Sequence, residues 1–331
     1  MSYHIVSIDA ANCSLTCRDG QLICKSAEGE KKLPLEDVAS IIITSWSAQI
    51  HSELFLQAAK HGVALIICEA FKPVSLVLPA NRSTDTLLSR ALLRLPPRTT
   101  AQLWQKTVDA KCANQLSLAE QLAPGDARLA AMRMTALSKK SYKEAICAKA
   151  FWQIFGTVTS GSRRGEEAEP PVARLLTSAA TEETFTRTRD GGGLNDLLNY
   201  GYAVLLSTVL QKLFGVGLDP TWGISHMPRE RATPLAYDLM EPFRPCVDWR
   251  VFQWVMQHPD PKDWEVTKEY RRWVTGFPLE RVEYLAFTLE IQGVIEGVVR
   301  GFRRAVLENK VGFYRPWMRD GEWPTDAGNG G

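Results

Sequence analysis

The pattern of apolar and polar positions changes once along the chain, near residue 80. Up to Pro79, short apolar runs alternate with turn signals such as Asp19-Gly20, as is typical of β-strands. A helical pattern at Ser52–Lys60 is followed by His61-Gly62, a common helix end. The predicted strands are His4–Ile8, Ser14–Cys17, Gln21–Lys25, Val38–Thr44, Val63–Cys68 and Val74–Leu78. The pattern predicts a β-rich domain, a small sheet or sandwich, over residues 1–79.

After a short polar linker at residues 80–86, helical spacing dominates. Breaker-rich connections at Gly161–Pro171 and Arg187–Gly193 interrupt it. The long predicted helices are Thr100–Leu122, Ala127–Phe155, Leu194–Phe214, Val247–Gln257 and Leu279–Leu307. Residues 319–331 have little apolar content and are predicted to form a flexible tail. The predicted fold class is α+β, with a β-sandwich-like N-terminal domain and an all-α domain over residues 87–318.

Composition limits where the protein works and how it meets charged partners. A formal net charge of +2 over 331 residues means that any nucleic-acid binding depends on local basic patches. Seven scattered cysteines, an odd number, favour a reducing compartment over a disulfide framework. The longest apolar runs are strand-sized, and the first nine residues alternate like a strand instead of a signal peptide. We expect a cytoplasmic protein without membrane contact.

One predicted helix carries a carboxylate on its apolar face. In Ala127–Phe155, positions at steps of three and four are small or apolar except Glu144. These positions are Ala130, Met134, Leu137, Ser141, Glu144, Ala148, Phe151 and Phe155. A buried ionised carboxylate needs a charge partner, hydrogen bonds or a metal. Glu144 is therefore a candidate metal ligand; a salt bridge to an arginine, or a boundary position that reaches water, is the alternative.

A second segment, Gly215–Glu241, supplies complementary donors. His226 follows a loop punctuated by glycine and proline, and Pro234 suits the first turn of a helix that should end or kink at Pro242. Asp238 and Glu241 are three residues apart on that helix, so both can face one side. One imidazole with two or three carboxylates suits Mg²⁺ or Mn²⁺ better than a structural zinc site. The alternatives are an ordinary surface or capping histidine and a solvated acid pair.

Basic clusters are candidates for contacts with a phosphate backbone. Arg163-Arg164 lies in the first breaker-rich connection, and Arg229 and Arg231 follow His226 closely in sequence. Charge runs on helices are usually solvated faces, so the arginines next to His226 have the stronger claim to bind DNA.

Several motifs together resemble a known family. They are Asn195-Asp-Leu-Leu-Asn-Tyr-Gly-Tyr202, Gly217-Leu-Asp-Pro-Thr-Trp-Gly-Ile-Ser-His226, Leu235-Ala-Tyr-Asp-Leu-Met-Glu-Pro-Phe-Arg-Pro245 and, near the N-terminus, Leu33-Pro-Leu-Glu-Asp-Val38 with His61-Gly-Val-Ala-Leu-Ile-Ile-Cys68. In this order, from about Ile5 to Leu307, the chain resembles the endonuclease/integrase of the CRISPR adaptation module, and its compact length is most similar to members from type II systems.

The resemblance implies a metal-dependent enzyme that inserts prespacer DNA into a CRISPR array by attack of a 3′-hydroxyl on a phosphodiester. It implies that Glu144, His226 and Glu241 hold Mg²⁺ or Mn²⁺, with Asp238 as a further ligand or as a group that orients one. It also implies a homodimer, joined through the N-terminal domain with a small CRISPR-associated partner on double-stranded DNA, and in a type II system a link to the effector nuclease.

Two other functions remain open from the sequence. One is a DNA-binding scaffold without catalysis, which an intact set of candidate ligands argues against. The other is a hydrolase of small phosphoesters, which is disfavoured because no glycine-rich phosphate-binding loop precedes a helix.

Overall fold

The structure is a computed structural model that describes residues 4–69, 71–77, 86–138, 143–161, 185, 187–188, 192–226 and 232–323. Arg163, Arg164, Arg229 and Arg231, the candidate DNA-binding residues, lie outside the described residues. All of the predicted linker except Thr86 lies outside them as well.

The N-terminal part consists of short strands and one helix, as the sequence predicts. The elements are β1 (His4–Ile8), β2 (Ser14–Arg18), β3 (Gln21–Ser26), β4 (Gly29–Pro34), β5 (Val38–Ile43), β6 (Gln49–Ile50), α1 (Ser52–Lys60), β7 (Ala64–Glu69) and β8 (Lys72–Val77). Sequence analysis missed β4 and β6. β4 is mostly exposed and polar, and β6 has only two residues, so neither has an apolar pattern.

These strands form two four-stranded sheets, one ordered β1-β5-β7-β8 and the other β4-β3-β2-β6. In the first sheet β1, β5 and β7 are parallel, and β8 pairs with β7 in the antiparallel sense. Side chains alternate between the faces of a strand. Ile41 and Ile43 of β5 therefore join a core with Leu15 and Leu22 of the second sheet, whereas Ile42 joins the core of the helical part.

The rest of the described chain is mainly helical. Its helices are α2 (Thr86–Leu93), α3 (Pro97–Leu122), α4 (Arg128–Ala136), α5 (Lys143–Gly161), α6 (Leu194–Gly215), α7 (Pro234–Met240), α8 (Arg244–Gln257), α9 (Lys268–Thr275) and α10 (Ile291–Glu308). One short 3-10 turn, Leu35–Asp37, lies in the N-terminal part, and the others are Glu241–Phe243, Pro261–Asp263, Phe277–Leu279 and Val311–Phe313. Within the described ranges, no helix is both long and apolar enough to cross a bilayer.

Helix α6 is the central element, because it is apolar on nearly all sides and buried along most of its length. It packs against β5, β7 and β8 on one side and against α8 on another. The close approach to α8 depends on Gly201, since a β-carbon there would lie 2.5 Å from Val247 Cγ1. Through α6, the first sheet and the helices share one core.

Two predicted helices differ from those in the structure, and the all-α prediction is wrong in detail. The region of Ala127–Phe155 contains two helices, α4 and α5, instead of one. The region of Leu279–Leu307 begins with a hairpin, β9 (Arg281–Tyr284) and β10 (Phe287–Glu290), and only then enters α10. Its turn residues, Leu285 and Ala286, have positive φ, which side chains of their type rarely adopt. Because the turn contains no glycine or asparagine, the sequence gives no signal for this hairpin.

The predicted flexible tail is also wrong where the structure describes it, at residues 319–323. Trp323 is only 3% exposed and packs against Trp249 and Trp317. Its backbone N–H donates to Gln121 Oε1, and its carbonyl accepts from Gln121 Nε2. One tryptophan therefore fixes a segment whose average composition is polar. Residues 324–331 lie outside the described residues.

Candidate active site

Glu144 and Glu241 converge on one ammonium group. Glu144 is in the first turn of α5, and Glu241 begins the 3-10 turn between α7 and α8. Lys111 of α3 places its Nζ 2.7 Å from Glu144 Oε1 and 2.6 Å from Glu241 Oε2. Two of the three predicted ligands, which are nearly a hundred residues apart in sequence, therefore meet in space.

Only half of the apolar stripe predicted around Glu144 faces the core. In the N-terminal half of the predicted stripe, Met134 is 78% exposed and Leu137 is 86% exposed, so that half does not face the core. The C-terminal half, with Phe151 and Phe155 buried on α5, does face it. Glu144 lies at the outer end of this shorter stripe, with a third of its side chain exposed.

Glu241 is buried and held by two cations. The helix ends at Met240, just before Glu241-Pro242 as predicted, and the 3-10 turn leads into α8, where Arg244 places its Nε 2.9 Å from Glu241 Oε1. Burial favours the protonated acid, but the charges of Arg244 and Lys111 outweigh it and lower the pKa of Glu241 to about 2. The second oxygen, Oε2, makes its ion pair with Lys111 but has no hydrogen bond of regular geometry within the described residues.

His226 is oriented by Asp238. Asp238 is fully buried, and its carboxylate accepts from the backbone N–H groups of Ile224, Ser225 and His226. It also lies 2.7 Å from His226 Nδ1, and this hydrogen bond raises the pKa of the imidazole. With Nδ1 turned to a carboxylate, the other ring nitrogen, Nε2, is left to face a ligand. This arrangement favours Asp238 as the residue that orients His226.

Gly223 allows the loop to wrap around Asp238. A β-carbon at this position would lie 2.6 Å from the His226 carbonyl oxygen and 2.8 Å from Asp238 Oδ2. Both distances are shorter than real β-carbons tolerate, so only glycine fits between the loop and the carboxylate. Packing against Asp238 and the His226 carbonyl therefore explains why the Trp-Gly-Ile-Ser-His motif contains a glycine.

The structure relates the three predicted ligands unequally. Glu144 and Glu241 share Lys111, and His226 is near enough to Glu241 for the charge of each to shift the pKa of the other. Among the residues that the structure describes, no three His, Cys, Asp or Glu side chains are arranged so that they could hold one metal ion. Two carboxylate oxygens that already face one positive charge nevertheless fit the donor set of a hard divalent cation.

Sequence reasoning missed the residues of α3 that face the site. Trp104 packs edge-on against the His226 ring with centroids 6.0 Å apart, and Lys111 lies two turns further along the helix. Asn114 donates to the carbonyl of Pro242 and so holds the turn that begins at Glu241. The available signal was a polar stripe, Thr107-Lys111-Asn114, at helical spacing on α3.

A second polar layer lies behind Glu241. Arg244 stacks over the Tyr202 ring at 4.7 Å, and the Tyr202 hydroxyl donates to the buried carboxylate of Asp248. Burial raises the pKa of Asp248 to about 7, although the Tyr202 hydrogen bond and nearby arginines oppose it. Arg187 bonds Asn195 and Asn199 of α6 and faces the same tyrosine. The Asn-rich motif of α6 thus holds Arg187 at the Tyr202 ring, over which Arg244 also lies.

Comparison with known proteins gives a consistent family. The model of the family described as CRISPR associated protein Cas1 matches residues 6–275. A CRISPR-associated endonuclease Cas1 from Neisseria meningitidis is 31% identical over 239 residues, which cover 72% of this chain and 71% of that protein. A Cas1 endonuclease from Korarchaeum cryptofilum is 25% identical over 76% of this chain and 78% of its own length.

Solved structures share the fold. A Cas1 protein from Thermotoga maritima superposes with a TM-score of 0.70 at 14% identity, covering 97% of this chain and all of that one. A casposase bound to integration product superposes with a TM-score of 0.68 at 20% identity, covering 94% of this chain and 92% of that one. The matched family model spans most of the sequence and includes Glu144, His226 and Glu241. The chain belongs to the Cas1 family of CRISPR-associated proteins.

Proposed function

We propose that the protein is a metal-dependent DNA endonuclease/integrase that inserts prespacer DNA into a CRISPR array. The observation that carries the proposal is the convergence of Glu144 and Glu241 on one cationic position, with His226 in electrostatic contact, in a chain of the Cas1 family. The names of the sequence relatives as endonucleases, and the integration product bound to the casposase, support this activity.

Glu144, Glu241 and His226 would hold Mg²⁺ or Mn²⁺ through two carboxylates and one imidazole nitrogen. Such an ion, when bound, would polarise a phosphoryl oxygen and stabilise negative charge on the attacking and leaving oxygens. Asp238 holds the His226 ring by Nδ1 so that Nε2 faces the site. Arg244 keeps Glu241 ionised in its buried position.

The proposed reaction is a transesterification. The 3′-oxygen of a prespacer end forms a bond to phosphorus at the repeat boundary, the bond from phosphorus to the 3′-oxygen of the repeat strand breaks, and one proton moves from the attacking to the leaving hydroxyl. Water in place of the 3′-hydroxyl gives hydrolysis, the nuclease activity. The site therefore accounts for both activities with one set of residues.

We further propose that the protein acts in the cytoplasm as a homodimer with a small partner of the Cas2 kind on double-stranded DNA. Part of a solved Cas6-RT-Cas1–Cas2 complex, 37% of the matched chain at 15% identity, shares this fold with a TM-score of 0.72. We assign residues 1–79, including the sandwich-like sheets, to dimer and partner contacts, and residues 87–318 to catalysis. Contact with a type II effector nuclease, and DNA binding by Arg163, Arg164, Arg229 and Arg231, are parts of the same proposal.

Strand transfer into a supercoiled plasmid that carries the repeat tests the function. With the small partner and Mg²⁺ or Mn²⁺, the wild type should join a short duplex to the plasmid, and chelation should stop the reaction. Glu144→Gln, His226→Ala and Glu241→Gln should each lose at least about a hundredfold in rate, the loss typical when an electrostatic group of an active site is removed.

Glu120→Gln is the matched control for the strand-transfer assay. Glu120 is on α3, the helix that carries Lys111, but its carboxylate pairs with Arg133 at an exposed position away from the site. It should keep wild-type activity. If folded Glu144→Gln kept full activity, the catalytic assignment would be wrong and a DNA-binding scaffold would be favoured. Activity on nucleotides alone would favour the small-phosphoester hydrolase.

A further inference from the structure

Lys111 stands where a cation between the two carboxylates would stand. Its ammonium is within 2.7 Å of an oxygen of Glu144 and within 2.6 Å of an oxygen of Glu241. We propose that Lys111 competes with the divalent metal for these carboxylates, so that the metal binds only when the ammonium has left them. The inference rests on the proposed function, because it takes Glu144 and Glu241 as metal ligands.

The charges explain why a lysine would stand there before the metal arrives. Glu241 is almost fully buried, and Arg244 supplies one positive charge for two nearby carboxylates, so without Lys111 one negative charge would lack compensation. The lysine supplies one positive charge in this setting. A divalent cation on the same oxygens would supply two, and the ammonium would then be a like charge at contact distance. Both cannot bond the same pair of oxygens.

Arg244 differs from Lys111 in this respect. Its guanidinium bonds the other oxygen of Glu241, Oε1, and stacks over Tyr202. Arg244 therefore leaves Glu241 Oε2 available, and its own position is fixed by the Tyr202 ring. The oxygen that the metal needs is the one that faces Lys111, and this oxygen lacks a regular hydrogen bond among the described residues.

The structure also offers the lysine a route out. The Lys111 side chain is 11% exposed, Glu241 is 4% exposed and Glu144 is 32% exposed, so the site opens to solvent on the side of Glu144. A four-carbon stem with several rotatable bonds can carry the ammonium toward that side without movement of α3.

The Mn²⁺ dissociation constant of the full chain, measured from the electron paramagnetic resonance signal of free Mn²⁺, tests the competition. Lys111→Met keeps a long apolar stem and removes the charge, so it should bind Mn²⁺ about tenfold or more tightly than the wild type. Lys111→Arg keeps a cation and should stay close to the wild type. Circular dichroism must show that each variant is folded.

Lys106→Met is the matched control for Mn²⁺ binding. It removes the same charge from the same helix, but the Lys106 ammonium donates to the carbonyls of Val311 and Tyr314 instead of the carboxylates. Its Mn²⁺ affinity should equal that of the wild type. A gain in Lys106→Met as large as that in Lys111→Met would mean that net charge acts, not competition, and would overturn the proposal.

A second measurement needs no variant and therefore survives a folding failure of Lys111→Met. An N-hydroxysuccinimide ester acylates exposed amines, and mass spectrometry of peptides gives the rate at Lys111. Saturating Mn²⁺ should accelerate acylation of Lys111 several-fold while leaving Lys106 unchanged. An unchanged rate at Lys111 in protein that binds Mn²⁺ would overturn the proposal.

The outcomes separate the two proposals. If the wild type binds Mn²⁺ and Glu241→Gln does not, but Lys111→Met binds no more tightly than the wild type, the metal site stands and the competition is overturned. If Lys111→Met binds Mn²⁺ where the wild type does not, the competition is supported in its strongest form. If neither binds, both the metal site and the competition fail.

Discussion

Glu241 and Glu144 contact the same ammonium group, yet the chain around Glu241 is held by many more bonds. We call residues 223–226 and 232–244 the fixed wall. In it Gly223 packs on Asp238, the Asp238 carboxylate accepts hydrogen bonds from three backbone N–H groups, and Arg244 donates to Glu241. We call Lys111 and Glu144 the adjustable wall. Among the described residues, the Glu144 side chain forms one ion pair, with Lys111.

The difference indicates how the site divides its tasks. Bonds to the backbone and a steric fit at glycine hold a side chain in one geometry before any ligand arrives, which favours binding without reorganisation. Glu144 is partly exposed and Lys111 carries its ammonium on a four-carbon stem, so the ion pair between them can change partners at less cost than the bonds around Glu241. We infer that the fixed wall sets where a metal would lie and that the adjustable wall decides when it binds.

The largest expected effect is on the fixed wall, from Arg244→Ala. This change leaves the buried Glu241 with Lys111 as its remaining close cation, so it should lower the free energy of unfolding by about 3 kcal/mol, the lower end for breaking a buried pair. Urea denaturation at pH 7 measures it. Arg300→Ala is the control, because Arg300 pairs with Glu296 at an exposed position on α10 and should cost at most about 1 kcal/mol. Equal losses in both variants would contradict a special role for the fixed wall.

A smaller loss is expected from Gly223→Ala. The added β-carbon would overlap the His226 carbonyl oxygen and Asp238, so the loop must shift, at a cost of about 1–3 kcal/mol in the free energy of unfolding. The shift should also weaken Mn²⁺ binding, because it moves His226. Gly215→Ala, at the end of α6, is the control, since no atom lies within 4 Å of its added β-carbon. If Gly223→Ala matched Gly215→Ala in both measurements, the packing explanation would be wrong.

The difference between the two walls also explains which parts of the site could be predicted from the sequence. His226, Asp238 and Glu241 lie within one short segment, and its prolines allowed local rules to predict that a helix begins at Pro234 and ends before Pro242. Glu144 was selected from a stripe whose first half, with Met134 and Leu137, is exposed. The selection depended on one continuous helix across a region where the structure has two.

The polar stripe of α3 includes Lys111, but this local pattern could not predict the partners of Lys111. A lysine on a long helix is usually solvated, and its role here depends on partners in α5 and in the turn after α7. The hairpin before α10 was missed for a related reason, since its turn uses Leu285 and Ala286 at positive φ. In both places tertiary contacts decide a feature that the residue types alone do not specify.

The smallest expected effect is on the adjustable wall, from Glu144→Gln. Glu144 is exposed by about a third, and its ion pair with Lys111 is partly screened by water. Its loss should therefore change the free energy of unfolding by less than about 1 kcal/mol. Lys111 keeps Glu241 as a partner, so no buried charge is left alone. Urea denaturation without added metal should give Glu144→Gln a free energy of unfolding near that of the wild type. Glu241→Gln should be much less stable, because it leaves Arg244 and Lys111 facing a neutral amide.

If Glu144→Gln were as unstable as Glu241→Gln, the two walls would be equally rigid. Glu144 would then be a structural partner of Lys111 and would not be free to change partners when a metal binds.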